Sequence, residues 1–194
     1  MSAFGDLLRR VLGSEYPVSD VQAAQMEAHW QMLLRWNARL NLTAITDMEE
    51  GVRRHYVEGV VVAAAVPSGP LRVADVGSGA GFPGIPFAIM RPECSVTLIE
   101  SDVRKSVFLR ESSVDLPNVR VQVVRFEQFS SPVDWVISRA VKPEVVLKGA
   151  KRLSACSALL VTRTDADALK LEERVEIPGQ DRSVVAISQI SHHI

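Results

Sequence analysis

Cysteine is scarce in this chain. Its 194 residues include two, Cys94 and Cys156, far apart in the sequence. Two such residues form neither a disulfide framework nor a zinc-ligand pattern, and they suit a reducing compartment. Long apolar runs are also missing. The longest, "GVVVAAAV" at 59–66, is too short to cross a bilayer. The N-terminal "MSAFGDLLRRVLG" lacks an extended apolar core, so no signal peptide is expected, and the chain is expected in the cytoplasm, away from membranes. Neither sign of charge is in excess: the net charge is −1. Any nucleic-acid contact must therefore come from a local patch. Repeats, low-complexity tracts and long linkers are absent. No cluster with metal-ligand spacing and no nucleophile–base pair stands out, so neither a metal nor an acid–base catalytic residue is expected.

What remains is ordinary globular composition, with 47% hydrophobic and 23% charged residues, enough for a single core without staples. Met26, Trp30, Leu33, Leu34 and Leu40 recur at helical spacing and predict a helix over 20–40, capped by Ser19 or Asp20. Thr46 and Glu49 fit a capping box for a second helix that runs to about Ala65 and stops at "PSGP". The pattern then changes. "LRVADV" (71–76), "SVTLIE" (95–100), "VRVQVV" (119–124), "VDWVIS" (133–138) and "SALLVT" (157–162) read as strands. Helical segments lie between them, with Val103, Val107, Leu109, Val114 and Leu116 in one and Val145, Val146, Leu147 and Leu153 in another. "VEIPGQDRSVVAISQI" adds one or two strands. Alternating strands and helices imply a mostly parallel sheet covered on both faces. The expected layout is an N-terminal helical region, 1–66, on a Rossmann-like α/β domain, 67–194, together forming one compact monomer.

Glycines crowd one point. Gly77, Gly79, Gly81 and Gly84 follow the first strand in "VADVGSGAGFPGIP", with Gly69 just upstream. This is where a doubly wound sheet binds ligands, and glycine permits positive φ and close backbone approach. A plain tight turn is the alternative. Gly77-Ser78-Gly79-Ala80-Gly81 matches the G-x-G-x-G loop of S-adenosylmethionine methyltransferases, whereas Gly79 to Gly84 matches a dinucleotide fingerprint that starts late and contains Pro83. Glu100 ends the second strand, where an acid can accept hydrogen bonds from ribose hydroxyls or act as an N-terminal acid of the next helix. A ribose acceptor fits either cofactor.

"RWNARLNLTAI", "RRHYVEG", "VADVGSGAGFPGIPFAI", "VTLIES", "RKSVFLR" and "VISRAV", in that order, resemble the small-subunit rRNA guanine-N7 methyltransferase family, methyltransferase G, once called glucose-inhibited division protein B. The resemblance implies a seven-stranded Rossmann-like sheet and a small N-terminal helical region. It implies S-adenosylmethionine as cofactor, S-adenosylhomocysteine as product, and methylation of guanine 527 in the 530 loop of 16S rRNA. The RNA would be met free, in the 30S subunit or in an assembly intermediate. Carried over by position, the cofactor contacts fall on Gly77 and Phe82, on Phe126 and Glu127, and on Arg139, beside Ser78, Gly79, Gly81 and Glu100 from the loop reading. The family's "RHxxD" becomes Arg54-His55-Tyr56-Val57-Glu58. Its lysine–glycine pair after the fifth strand becomes Thr162-Arg163, where Arg163 stands in for the lost cation, and the chain is shorter than the family at its C-terminus.

Guanine N7 has a free lone pair and no proton, which accounts for the missing base. For RNA, Arg35 and Arg39 share a helical face. Arg53, Arg54 and His55 follow, and Arg104, Lys105 and Arg110 come after the second strand, with Asp47, Glu49 and Glu50 diluting the patch. An NAD-dependent oxidoreductase and a non-catalytic cofactor-binding or ribosome-assembly protein remain the competing readings.

Overall fold

The computed structural model describes residues 2–153 and 155–189. It opens on α1 (Ala3–Leu12), a helix not among those expected. The Ser2 hydroxyl accepts from the Gly5 amide at its start, and Phe4, Leu8 and Leu12 bury one face at four-residue spacing. α2 (Asp20–Leu40) starts in a capping box between Ser19 and Gln22, so Ser19 is the cap.

The next helix begins one residue later than its sequence suggests. Asp47, not Thr46, is the cap, accepting from the Glu50 amide at 2.9 Å. An aspartate caps as well as a threonine, and the acid three residues on serves either register. The helix reaches Ala65 as expected but in three parts: α3 (Met48–Gly51), a π-helical turn (Val52–Tyr56) and α4 (Val57–Ala65). The π turn carries Arg53, Arg54 and His55, and such turns recur at functional sites.

Seven strands form one sheet: β1 (Arg72–Val76), β2 (Ser95–Ile99), β3 (Val119–Gln122), β4 (Trp135–Arg139), β5 (Cys156–Thr162), β6 (Arg174–Ile177) and β7 (Gln180–Ser188). Their order is β3-β2-β1-β4-β5-β7-β6, with β1 to β5 parallel and β7 antiparallel to both neighbours. The expected last strand reached Ile190, which lies outside the described residues. α5 (Gly84–Met90), α6 (Val103–Ser112), α7 (Pro143–Arg152) and α8 (Arg163–Ala168) complete the chain.

Adjacent strand residues serve opposite faces. Val73 joins a core with α1, α2, α4 and α5, whereas Ala74 joins a second core with Val146 of α7 and Ala166 of α8. Two helical faces differ from expectation. On α6 the buried residues are Ser106, Phe108 and Leu109, while Val103 and Val107 are exposed and Val114 lies beyond the helix end. On α7 Val145 is exposed and Val146 is buried. A run of apolar residues defines no unique face on so short a helix.

Candidate active site

The strand order reverses between β1 and β4, and a crevice opens beyond their C-terminal ends. The glycine loop enters it from β1. Gly77, Gly79 and Gly81 have φ of 70°, 54° and 88°. The loop is tied to the sheet throughout. The Gly77 and Ser78 amides donate to the Ile99 carbonyl at 2.9 and 3.1 Å, and the Ser78 hydroxyl donates to the Asp75 carbonyl at 3.0 Å. A Cβ on Gly77 would stand 2.5 Å from Val141 Cγ2, so glycine is required for that approach.

Glu100 is buried, and both its oxygens are engaged. Oε2 accepts from the Gly79 amide at 3.0 Å and Oε1 from the Asp102 amide at 2.8 Å. Each oxygen retains a further lone pair for a ligand donor. The cap of the next helix is Asp102, which accepts from the Arg104 and Lys105 amides.

The sequence reading overlooked Asp75. This fully buried carboxyl accepts from the Gly84 amide at 3.2 Å, and its Oδ1 has no partner among the described residues. Burial pushes its pKa up to about 7. The signal was present: "RVADV" carries one acid inside an otherwise apolar buried strand.

Two cavities meet at this crevice. The first, of about 160 Å³, is lined by Gly77, Glu100, Val124, Phe126, Glu127 and Val141. The second, of about 430 Å³, is lined by Arg54, Glu58, Arg139, Lys142, Thr162 and Asp165, and by Val141 again. Val141 is thus their shared wall. Ala140, beside it, holds a φ of 62°, a conformation a non-glycine residue rarely adopts. Phe126 packs its ring on Gly149 of α7, where any Cβ would overlap it, and its carbonyl accepts from Arg152 at 3.0 Å.

Other expected residues are placed differently. Phe82 lies outside both cavity walls. Its buried ring stacks on His55 at 4.4 Å, with Tyr56 and His29 around it. Ser78 and Gly81 are buried supports of the loop. His55 is also buried, so it presents no surface to RNA. Arg139 Nη1 donates to its Nδ1 at 2.6 Å, which leaves Nε2 to carry the proton toward the Thr43 hydroxyl at 3.0 Å. Burial, with Arg139 nearby, holds its pKa down to about 3. Buried His29, bonded through Nδ1 to the Tyr56 hydroxyl at 2.8 Å, is likewise held to about 3 by burial.

Arg139 joins β4 to the π turn. The same Nη1 donates to the Arg54 carbonyl at 2.7 Å and lies 3.0 Å from Glu58 Oε2. Arg163, expected to stand in for the lost cation, lines neither cavity. It pairs with Glu176 and donates to the Asp181 carbonyl at 2.6 Å. Arg35 and Arg39 are exposed on α2 and form no ion pair among the described residues, whereas Arg53 and Arg54 pair with Glu49 and Glu50. No described helix is long and apolar enough to cross a membrane.

The chain can be placed among known proteins. The family profile described as rRNA small subunit methyltransferase G matches residues 22–186. A Halorhodospira halophila protein named ribosomal RNA small subunit methyltransferase G is 36% identical over 188 residues, covering 88% of this chain and 89% of its own length. A Methylobacillus flagellatus protein of the same name is 42% identical over 135 residues, covering 68% of this chain and 64% of its own length. Among solved structures, a SAM-dependent methyltransferase from Aquifex aeolicus aligns with a TM-score of 0.55 at 17% identity, over 71% of this chain and 92% of that one. The ribosomal protein L11 methylase from Lactobacillus delbrueckii subsp. bulgaricus aligns with a TM-score of 0.55 at 14% identity, over 68% and 76%. At these identities the structural likeness speaks for the fold alone: a Rossmann-like methyltransferase sheet. The sequence matches go further, and by them the chain belongs to the rRNA small subunit methyltransferase G family.

Proposed function

We propose that this chain methylates N7 of a guanine in 16S rRNA, with S-adenosylmethionine as methyl donor. The observation that carries the reading is the pair of cavities meeting at Val141, on a chain of this family. The first cavity suits the nucleoside half of the donor. Gly77 lets the loop pass against Val141 at the cavity wall, and Glu100 presents a carboxylate that two backbone amides already orient. Val124, Phe126 and Glu127 form the opposite wall, in reach of an adenine. The second cavity, beyond the ends of β4 and β5, receives the acceptor base. Residues 67–194 form the donor-binding unit, and the 1–66 region completes the acceptor side through Arg54 and Glu58.

When bound, S-adenosylmethionine supplies an electrophilic methyl carbon on a sulfonium. The protein's part is to orient the acceptor and exclude water. Guanine N7 carries a lone pair and no proton, so no side chain has to remove one. His55 fits that requirement: both its ring nitrogens are engaged and it stays neutral at physiological pH. Arg35 and Arg39 supply phosphate contacts on the outer face of α2.

The test is methyl transfer from labelled donor to 16S rRNA, offered as free RNA, as 30S particle and as assembly intermediate, with nucleosides identified by mass spectrometry. The expected product is 7-methylguanosine in at least one form. A different methylated nucleoside, or none in any form, refutes the proposal.

A further inference from the structure

Glu58 is a carboxylate with one oxygen lacking a hydrogen-bond donor among the described residues. It lines the second cavity, is 4% exposed, and its Oε2 has no hydrogen-bond partner among the described residues. The nearest cation explains why. Oε2 lies 3.0 Å from Arg139 Nη1, but the two hydrogens of that nitrogen go to the Arg54 carbonyl and to His55 Nδ1. Arg139 gives Glu58 charge but no aligned hydrogen bond. A buried carboxylate left in this state is costly unless a ligand completes it. Burial raises its pKa, although Arg139, the Gln180 side chain and Arg54 each pull it the other way. Asp165, the other acid on the cavity wall, is exposed and already accepts from the Thr162 hydroxyl at 2.7 Å.

We propose that Glu58 reads the Watson–Crick edge of the acceptor guanine, its carboxylate accepting from N1–H and the N2 amine. The inference rests on the methyltransferase reading above and names the residue that selects the base. Guanine offers two adjacent donors on that edge, which match a carboxylate. Adenine offers a lone pair at N1, which a carboxylate repels. Enzymes acting on an extruded base commonly read that edge by hydrogen bonding. The cavity volume, about 430 Å³, lies within the roughly 300–1,000 Å³ usual for ligand sites. Methylation at N7 places positive charge on the purine, and an anionic partner on the far edge stabilises it in a site shielded from water.

The experiment is a cycle between protein and RNA. Inosine replaces guanosine at the acceptor position of small-subunit rRNA; it keeps N7 and N1–H but lacks the N2 amine. Single-turnover methylation of both RNAs is measured with wild type, Glu58→Gln, Glu58→Asp and Asp165→Asn, after melting curves verify each fold. Losing one hydrogen bond to a charged acceptor should slow the wild type on inosine about tenfold or more. In Glu58→Gln that penalty should shrink to under about threefold, because the neutral amide no longer offers the charged acceptor. Asp165→Asn should keep the full wild-type penalty, and Glu58→Asp should keep most of it. An equal inosine penalty in wild type and Glu58→Gln overturns the proposal and leaves Glu58 as a counter-ion for Arg139. If wild type forms no 7-methylguanosine on guanosine RNA, the methyltransferase reading itself fails and this inference falls with it.

Discussion

Glu100→Gln isolates the carboxylate at the centre of the donor cavity. The change preserves size and shape but converts one acceptor oxygen to an amide NH2 donor. Glu100 now receives the Gly79 amide on one oxygen and the Asp102 amide on the other. Glutamine can accept only one of them, so the other amide faces a second donor. Leaving a buried amide unpaired costs about 1–3 kcal/mol. For a chain of this size each kcal/mol lowers the melting temperature by roughly 2–4 °C. A ligand ribose meets the same deficit, since its hydroxyls lose an acceptor. A further 1–3 kcal/mol in binding corresponds to about a 5- to 150-fold rise in Kd. S-adenosylmethionine and S-adenosylhomocysteine share the ribose, so titration calorimetry should show the same rise for both, within about threefold. A folded variant with unchanged affinity would show that Glu100 only braces the loop. A loss confined to one of the two ligands would refute the ribose assignment.

Gly79→Val should fold, since a Cβ there meets only the Gly77 carbonyl at 3.7 Å, yet its φ of 54° is unfavourable for valine, so the loop should shift and donor affinity fall; unchanged affinity by calorimetry counts against the loop reading. His55→Gln should keep the saturated single-turnover rate within about tenfold, or 1.4 kcal/mol in the barrier, and a log-linear pH dependence that disappears in the variant would make His55 a base and remove the N7 assignment. Stability against urea should fall as pH drops from 6.5 toward 3, because the unfolded chain takes up protons on His29 and His55 that the native state, with pKa held near 3, refuses. Asp75 works in the opposite sense: raised from 3.8 to about 7, it favours the native state at low pH and loses that contribution as pH rises through this window, so Asp75→Asn should steepen the acid decline between about 4 and 6.5, and an unchanged slope would contradict the buried-carboxyl assignment.

The strands were legible because each is a short apolar run bounded by turn residues, and their alternation with helices leaves few topologies. α1 was harder to see, since its ten residues carry three charges and its apolar side is just three turns long. The glycine loop and Glu100 were legible because they are contiguous or nearly so with strand ends that the pattern defines. Composition and spacing left S-adenosylmethionine and NAD both open at that loop, and the family match settled it in favour of a methyltransferase. The roles of individual side chains were less visible. The family resemblance makes Phe82 a cofactor contact, and its ring stacks inward on His55.

The acceptor side illustrates the limit most clearly. Its walls come from the π turn and α4, from the end of β4 and the residues after it, from β5 with α8, and from Ser183 of β7, four stretches far apart in the chain. Sequence alone shows an arginine in "SRA" and an acid in "RRHYVEG", but not that one cation spans them. The chemistry depends on where two hydrogens of Arg139 Nη1 point. Aimed at Glu58, they would satisfy Oε2 directly. Given instead to the Arg54 carbonyl and His55, they lock the π turn onto β4 and leave the carboxylate's Oε2 without a donor. His55 is central to this outcome although it contacts no cavity: as a neutral acceptor it takes the hydrogen that Glu58 would otherwise receive. A protonated imidazole could not accept that hydrogen, so the site's open carboxylate requires the depressed histidine pKa that burial imposes.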